Sequence, residues 1–542
     1  MKTREQVLLA DLKQDLWERR IERGMSLLEK RRRVLTSLQP GRPDAGTLLG
    51  YFAQWIDIGF DSHELLRGTV TRFKKPLRAQ LKLCDYLHLR MAEGLLAMAG
   101  ESFDAAIAHF DFVLMVGEET EDKETLAIAD FWKGRCLRRK GEYDLALTCT
   151  VRGRELATSL GHPKMAAVMR VLESWLVFQK GKPQEALKIL QEAEAVLRST
   201  DDHITLGNIQ STYGRIARRE GRYHQAIEHF TQAISAYRKR DSEHRNVARS
   251  LANLAFVKRL IALELLRKLD AENIRRRKSA DGRNSVGSHS QRRRQFERLR
   301  EEAFSHLGEA KTIYEKRPNH HGLGTVHLNC GYLHLDTGEL EQAEIEAAAA
   351  FNLGNEKNDF IITARARLLQ CMVENAKVEE EIGEAADPGS HARSAMEFAR
   401  DAVELAKHTQ NRRLLANAYI WEGLTYCNPY FEDMESARQS YDTVMKFLKE
   451  YRPDYMREDL QRLKSRAFES GTVNSMLRAW SHGSLGDKTF QQVAEEFAEL
   501  VIPKVWEREG RKVSRVAARL SISPKKVRRI LNRAGRRRPS KP

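Results

Sequence analysis

Small, apolar and polar positions recur along this chain with a long, strict period. The stretches "AEGLLAMAGESFDAAIAHFDFVL", "WKGRCLRRKGEYDLALTCTVRG", "ESWLVFQKGKPQEALKILQEA" and "TYGRIARREGRYHQAIEHFTQAI" share one layout. A small residue is followed by a glycine, then an apolar or proline residue, then an alanine with an aliphatic neighbour. Gly94, Gly134, Ser174 and Gly214 step by 40 residues, and Ala106, Ala146, Ala186 and Ala226 step by 40 beside them. The gap of 28 from Ala106 to Gly134 returns between Ala303 and Gly331, Ala343 and Cys371, and Ala395 and Gly423. Such a period predicts stacked helical hairpins, in which small residues mark close helix crossings. The glycines of "KGEY" and "EGRYHQA" are expected to end the first helix of each pair in a left-handed conformation.

The pattern resembles the tetratricopeptide repeat, and the resemblance covers about Tyr51 to Arg466 in roughly eight units, the first degenerate. It implies an α-solenoid with a concave binding face. The unit of 40 residues exceeds the minimal ~34 and implies longer helices, as in variant arrays of some bacterial regulators. Two units are interrupted. Leu254 to Ala303 spans 49 residues where 12 are expected, and Cys371 to Ala395 spans 24. Both excesses fall at the turn within a pair and are expected to project as loops, the basic one disordered.

Composition fits an all-α chain: 41% of the residues are hydrophobic, with only 13 prolines and 33 glycines in 542. No apolar run approaches the ~20 residues of a membrane span, and the charged N-terminus lacks a signal-peptide core. A cytoplasmic protein is expected, nucleoid-associated when bound to DNA. The six dispersed cysteines lack a CxxC pair and read as reduced core thiols. The expected division is an N-terminal helical cap over 1–48, the repeat array over 49–467, a linker over 468–485 and a second domain over 486–542. The array contains a basic insertion, 267–300, and an acidic one, 376–390.

Charge sharpens this picture through its placement. The net charge is +17; residues 510–542 hold 13 Lys or Arg and no acid, and residues 267–300 hold 12 bases against 4 acids. Everything else is slightly acidic. Within the array, three first helices place cations at equivalent offsets: Arg135, Arg138 and Arg139; Arg215, Arg218 and Arg219; Lys258 and Arg259. Stacking would gather them into a positive strip for an acidic peptide, a carboxylate or a phosphate. Cations also suit the C-terminal end of any helix, so a solvated role stands beside the binding one. Trp175 and Phe178 sit at the same offsets of the intervening unit, as a groove floor or as core. The basic insertion could meet phosphates or an acidic partner, or only solvent.

No phosphate-binding loop, dinucleotide fingerprint, HExxH or GxSxG motif occurs. The adjacent His320 and His321 of "NHHG" lack the spacing of helical metal ligands and read as a turn. No enzyme activity, metal or cofactor is expected.

A new apolar pattern begins in "TFQQVAEEFAELVIPKVWEREG", with Val493, Phe497, Leu500 and Val501 on one face and Pro503 permitting a fresh helix start. Beyond it, "GRKVSRVAARLSISPKKVRRILNRAG" predicts a helix over 513–520, a turn over 521–523, and a helix from Pro524 to Ala534 ended by Gly535. Ser523 is the expected N-cap, with Pro524 at the first helical position. Val516, Ala517, Leu520, Ile522, Val527, Ile530 and Leu531 point inward. This leaves Lys525, Lys526, Arg528, Arg529, Asn532 and Arg533 outward.

The stretch from about Phe497 to Gly535 resembles the helix-turn-helix domain of the Fis family. The resemblance implies that Ser514 and Arg515 open a supporting helix and that Ser523, Pro524, Lys525 and Lys526 begin a helix for the major groove. Lys512, Arg515, Arg536, Arg537 and Arg538 would meet phosphates of double-stranded DNA. Arg511 and Lys512 replace the family's usual Gly-Asn, Ser521 replaces its turn glycine and Pro524 a residue often basic, so sequence preference is not carried over. One such module binds weakly, which makes helix 489–501 a candidate homodimer interface, although the same face could close the module's own core. The expected function is a DNA-binding transcription regulator whose groove docks a peptide, protein or anionic ligand. The alternative is an interaction scaffold in a signalling or defence assembly, using its basic end for RNA or acidic partners.

Overall fold

The computed structural model describes residues 4–60, 63–120, 122–278, 286–380, 388–448, 456–469 and 488–536. Two units result, Met1–Lys464 and Ser465–Pro542. Among the described residues there is no strand.

The first unit opens with α1 (Arg4–Trp17), α2 (Ile21–Ser37), α3 (Ala45–Gln54), α4 (His63–Val70) and α5 (Lys75–Arg78). Eight antiparallel pairs follow. They are α6 (Leu83–Ala99) with α7 (Phe103–Thr120), α8 (Lys123–Lys140) with α9 (Tyr143–Ser159), α10 (Pro163–Gln179) with α11 (Pro183–Leu197), and α12 (His203–Arg219) with α13 (Tyr223–Arg240). Next come α14 (Arg245–Lys278) with α15 (Val286–Lys316), α16 (His320–Leu335) with α17 (Leu340–Glu356), α18 (Phe360–Glu380) with α19 (Pro388–Lys407), and α20 (Arg412–Tyr426) with α21 (Met434–Leu448). The short α22 (Arg457–Lys464) closes the unit.

Local chemistry sets these boundaries. Asp122, Asp202, Asn319 and Asn411 accept hydrogen bonds from the backbone N–H three residues on, capping α8, α12, α16 and α20. Gly141 and Gly221 end α8 and α12 with φ of 87° and 75°, as the repeat pattern predicts. At the first pair the left-handed residue is Glu101, with φ of 61°, not the preceding glycine.

The periodic small residues do sit at crossings. A Cβ on Gly134 would lie 2.7 Å from Thr150 Oγ1, and one on Gly214 2.9 Å from the Phe230 ring. Ser174, at the same register, donates its hydroxyl to the Ala186 carbonyl at 2.7 Å. The alanines of the second helices, Ala106, Ala146, Ala186 and Ala226, are fully buried against them.

The array winds far enough to touch itself. The turn of the first pair meets the start of the sixth, where the Glu101 carboxylate accepts from the His320 backbone N–H at 2.9 Å and pairs with the His320 ring at 2.6 Å. The turn of the second pair meets the eighth: Gln410 donates its N–H to the Gly141 carbonyl at 3.0 Å and its side-chain carbonyl accepts from Asp144 N–H. The N-terminal helices lie along the starts of the first helices. Trp17 stacks on His162 at 4.2 Å, the Asp201 carboxylate caps α2, and buried Arg19 pairs with Asp202 at 2.7 Å.

Three expectations change. The basic insertion is not a projecting loop over most of its length: it extends α14 and α15 by several turns, because its Arg, Glu and Leu residues favour helix and pair across it. Arg292 pairs with Glu272, Arg293 with Glu297 at 3.1 Å and Arg298 with Glu302 at 2.8 Å. The acidic insertion likewise prolongs α18 and α19, with its centre, 381–387, outside the described residues. The "NHHG" tetrapeptide is the capped first turn of α16, since the Asn319 side chain supplies the acceptor its free N–H groups need. Finally, Cys84 is exposed; Cys136, Cys149, Cys371 and Cys427 are buried and Cys330 is half-buried.

The second unit begins with a short π-helical turn, Ser465–Glu469, and most of the expected linker lies outside the described residues. Its three helices are α23 (Phe490–Arg508), α24 (Val513–Leu520) and α25 (Pro524–Arg536). Pro503 does not start a helix; it lies inside α23. Gly535 does not end α25, which continues to Arg536. Ile502, Val516, Ala517, Val527 and Ile530 form the core, with Ala498, Val505, Trp506, Leu520, Ile522 and Leu531 around it. Ser521 adopts φ of 50° between α24 and α25, and Ser523 Oγ accepts from Lys526 N–H at 3.2 Å.

Candidate functional site: an arginine-lined cavity

The first helices of the pairs turn one face toward the inside of the superhelix, enclosing a cavity of about 1040 Å³. Among the described residues, fourteen arginines and Lys316 line it against six carboxylates, together with six asparagines and nine aromatic rings. Nine of the ten groove residues expected from the repeat register are here: Arg135, Arg138, Arg139, Trp175, Phe178, Arg215, Arg218, Arg219 and Arg259. Lys258 is not; it points to α15, where it pairs with Glu302 at 2.5 Å.

Some of these cations are internally neutralised. Arg135 forks onto Asp57 with hydrogen bonds of 2.5 and 2.8 Å. Burial would raise the Asp57 carboxyl, but the Arg135 guanidinium outweighs it and holds the group at about 2. Arg259 forks onto Asp336 at 2.6 and 2.8 Å; burial disfavours its charge, and the carboxylate more than restores it. Arg139 approaches Glu101 at 3.6 Å.

Others also contact rings and amides. Arg138 lies 5.0 Å above the Trp175 ring, Arg219 lies 3.6 Å above Phe178 and donates to the Phe178 carbonyl at 2.8 Å, and Arg218 reaches Asn253 at 3.1 Å. Arg249 donates to Asn208 Oδ1 at 2.8 Å. For Arg215 no hydrogen bond or ion pair is found among the described residues. Burial, reinforced by Arg249 and Arg218, pulls its guanidinium down to about 9. Burial and the neighbours Arg139, Arg249, Arg135 and Arg215 push Arg138 well below the ordinary arginine range. These positive groups repel one another, an arrangement that favours an entering anion.

Trp175 and Phe178 both border the cavity. Phe178 is buried in an apolar cluster with Val177, Ala186 and Ile216, and its face carries a guanidinium. The register missed Arg245, Arg249, Arg317, Arg365, Arg413 and Arg457, which also line the cavity. Arg249, Asn253 and Phe256 share one helix face at i, i+4 and i+7, a signal open to sequence reading. Arg365 and Arg413 come from the first helices of the last two pairs.

At that closure, His320 lies between Glu101 and Asp359, 2.6 and 3.4 Å away. Burial disfavours its protonation, but Asp359 and Glu101 outweigh burial and raise it to about 9. The Asp359 carboxyl is held far below its usual range despite burial, chiefly by His321 and His320.

In the second unit, Lys512, Ser514, Arg515, Ser523, Lys525, Lys526, Arg528 and Asn532 are exposed. Arg529 is exposed as well and pairs with Glu495 at 3.0 Å. Arg533 and Arg536 belong to α25 with undescribed side chains, and Arg537 and Arg538 lie outside the described residues. On α23, Val493 is buried and Val501 half-buried, while Phe490 and Phe497 are 82% and 48% exposed; the Leu500 side chain is not described.

One set of possible metal donors escaped sequence reading: ligand atoms of Cys84, His88 and Asp122 lie within 4.8 Å of one another. Cys84 and His88 are i,i+4 on α6, whereas Asp122 arrives from the start of α8, where it already caps the helix. Burial lowers the His88 ring to about 4.

Residues 205–267 match the tetratricopeptide-repeat family model. No curated protein matches the chain. Among solved structures, the human IFIT1 dimer with m7Gppp-AAAA is similar at 13% identity and a TM-score of 0.45, covering 87% of this chain and 92% of that one. The apo quorum sensor NprR from B. thuringiensis has 13% identity and a TM-score of 0.36, covering 81% and 97%. Apo RapI has 13% identity and a TM-score of 0.39, covering 74% and 97%. No helix among the described residues is long and apolar enough to cross a membrane.

Proposed function

We propose that the chain is a non-catalytic, bacterial-type regulator acting in the cytoplasm, in which the repeat array captures an anionic peptide or protein segment and the C-terminal helices dock on double-stranded DNA. The observation that carries the reading is the cavity, where fourteen arginines and a lysine face six carboxylates. Helical-repeat arrays use their concave faces for extended partners, and a basic cavity favours carboxylates or phosphates.

For DNA docking, the support is the division of α25 into two faces. Val527 and Ile530 are buried, whereas Lys525, Lys526, Arg528 and Asn532 remain exposed. A helix-turn-helix of the Fis type presents its second helix to the major groove in this manner. Exposed Phe490 and Phe497 on α23 offer an apolar face for a homodimer, which would raise the weak affinity of one module.

Titration of duplex DNA and of RNA at rising salt, using the full chain and Lys525→Glu/Arg528→Glu, tests the DNA half. Duplex binding should fall in the variant and be salt-sensitive. Unchanged duplex affinity, or equal RNA affinity, replaces the regulator with a scaffold that holds RNA or acidic partners. Capture of acidic peptides by wild type but not by an Arg138→Glu/Arg215→Glu variant tests the cavity half.

A further inference from the structure

A recess of about 100 Å³ opens in the wall of the main cavity, bordered by α8, α10, α12 and α14. Among the described residues, five arginines line it with a single carboxylate, Asp57. Arg135 is forked onto that carboxylate, and Arg19 pairs with Asp202. Arg138, Arg215 and Arg249 remain with no carboxylate partner among the described residues. Their company is the Trp175 ring, the Asn208 carboxamide and the Tyr237 hydroxyl, and the buried Nε atoms of Arg138 and Arg249 lack an acceptor.

We infer that this recess is a phosphoryl subsite, built to hold the phosphate monoester of a phosphorylated peptide whose main chain runs through the larger cavity. The inference rests on the reading of that cavity as a groove for an anionic peptide. Charge partly withdrawn from water and left unpaired is costly, so these three half-buried guanidiniums call for a compact counter-charge. A phosphate monoester carries about −1.5 to −2 at neutral pH and three acceptor oxygens, whereas a carboxylate brings one charge and two oxygens. Size agrees: the recess is smaller than the ~150 Å³ cavity that holds a benzene ring, which suits a compact tetrahedral anion.

The rest of the cavity favours a peptide over a nucleotide. Five of its nine rings already carry a guanidinium over one face: Phe103 under Arg139, Trp175 under Arg138, Phe178 under Arg219, Phe256 under Arg218 and Tyr332 under Arg259. Conversely, Asn329 and Asn417 line the same cavity with buried Oδ1 atoms that lack a donor. A peptide N–H supplies such a donor.

The test is calorimetry on the full chain with degenerate peptides centred on phosphoserine, glutamate or serine, and with AMP and inorganic phosphate as small probes. Phosphoserine peptides should bind about tenfold or more tighter than glutamate peptides, and Arg215→Gln should bring them down to the glutamate level. Arg215→Gln relieves repulsion, so its ligand-free melting temperature should match or exceed that of wild type; Arg249→Gln repeats the measurement should it fall. Equal affinity for phosphoserine and glutamate peptides overturns the subsite and leaves the groove standing. Binding of neither removes both. AMP or free phosphate bound tightly while phosphopeptides are ignored also overturns the proposal, in favour of a small-molecule site.

Discussion

The arginines of the array cavity and those of α25 are the same residue type at the same helical spacing, yet they live in opposite surroundings. In the cavity, Arg138 and Arg215 are half-buried, and burial with mutual repulsion lowers both guanidiniums. On α25, Arg528 and Arg529 project into solvent above a core of Val527 and Ile530. Enclosed charge acts at short range, is little screened by salt and selects a small anion by fit. Exposed charge on a rigid helix suits a long polyanion whose phosphates repeat, and its action weakens with salt. Basicity alone therefore does not define a partner; its setting does.

The largest test of this contrast is Lys525→Glu/Arg528→Glu, expected to weaken duplex binding about a hundredfold at low salt with no effect on peptide capture in the cavity. If both activities drop together, the two regions are not separate. Next, Arg135→Gln strips the fork from Asp57 and should cost about 2–3 kcal/mol in denaturant unfolding, while Arg215→Gln should be neutral or stabilising. Equal losses would erase the distinction between neutralised and unpaired cations.

A third test concerns the closure that makes the cavity. The folded His320 is raised to about 9 above an ordinary value of roughly 6.5. Its contribution is fully present below that ordinary value and is lost as pH rises through about 9. Wild type should lose on the order of 2 kcal/mol between pH 6.5 and 10 that His320→Gln does not lose; parallel pH profiles of the two proteins would exclude the coupling. Smaller still, Ser523→Ala removes the cap of α25 and should lower stability of the second unit by about 1 kcal/mol. Arg529→Ala, at an exposed pair, should change it by less than about 0.5 kcal/mol; a larger loss would make Arg529 a structural residue rather than a docking one.

Much of the fold was legible because close packing leaves a covalent trace. Where α8 crosses α9, a Cβ on Gly134 would lie 2.7 Å from Thr150 Oγ1, and a small residue, Gly94, Gly134, Ser174 or Gly214, marks that register in each of the first four pairs. The cap at Ser523 and the inward set of α24 and α25 were legible for the same kind of local reason. The insertions were misread because a break in register says how many residues are added, not their conformation; Arg298 with Glu302 and the buried Leu269 keep the added turns helical. Pro503 was misread because a proline inside a helix and one that begins a helix look alike in a polar sequence.

By itself, then, the sequence determined the repeat, its helices, the equivalence of Arg135 with Arg215, and the two-faced character of α25, all of which follow from spacing within one or two helices. Only the tertiary structure decided which of those cations are neutralised. Asp57 reaches Arg135 across 78 positions and Asp336 reaches Arg259 across 77, while Glu101 meets His320 across 219. Such contacts depend on the accumulated rotation of successive pairs, a small angle per unit that no residue pattern records. That rotation brings the ends of distant helices together, leaving Arg138, Arg215 and Arg249 with no carboxylate partner among the described residues.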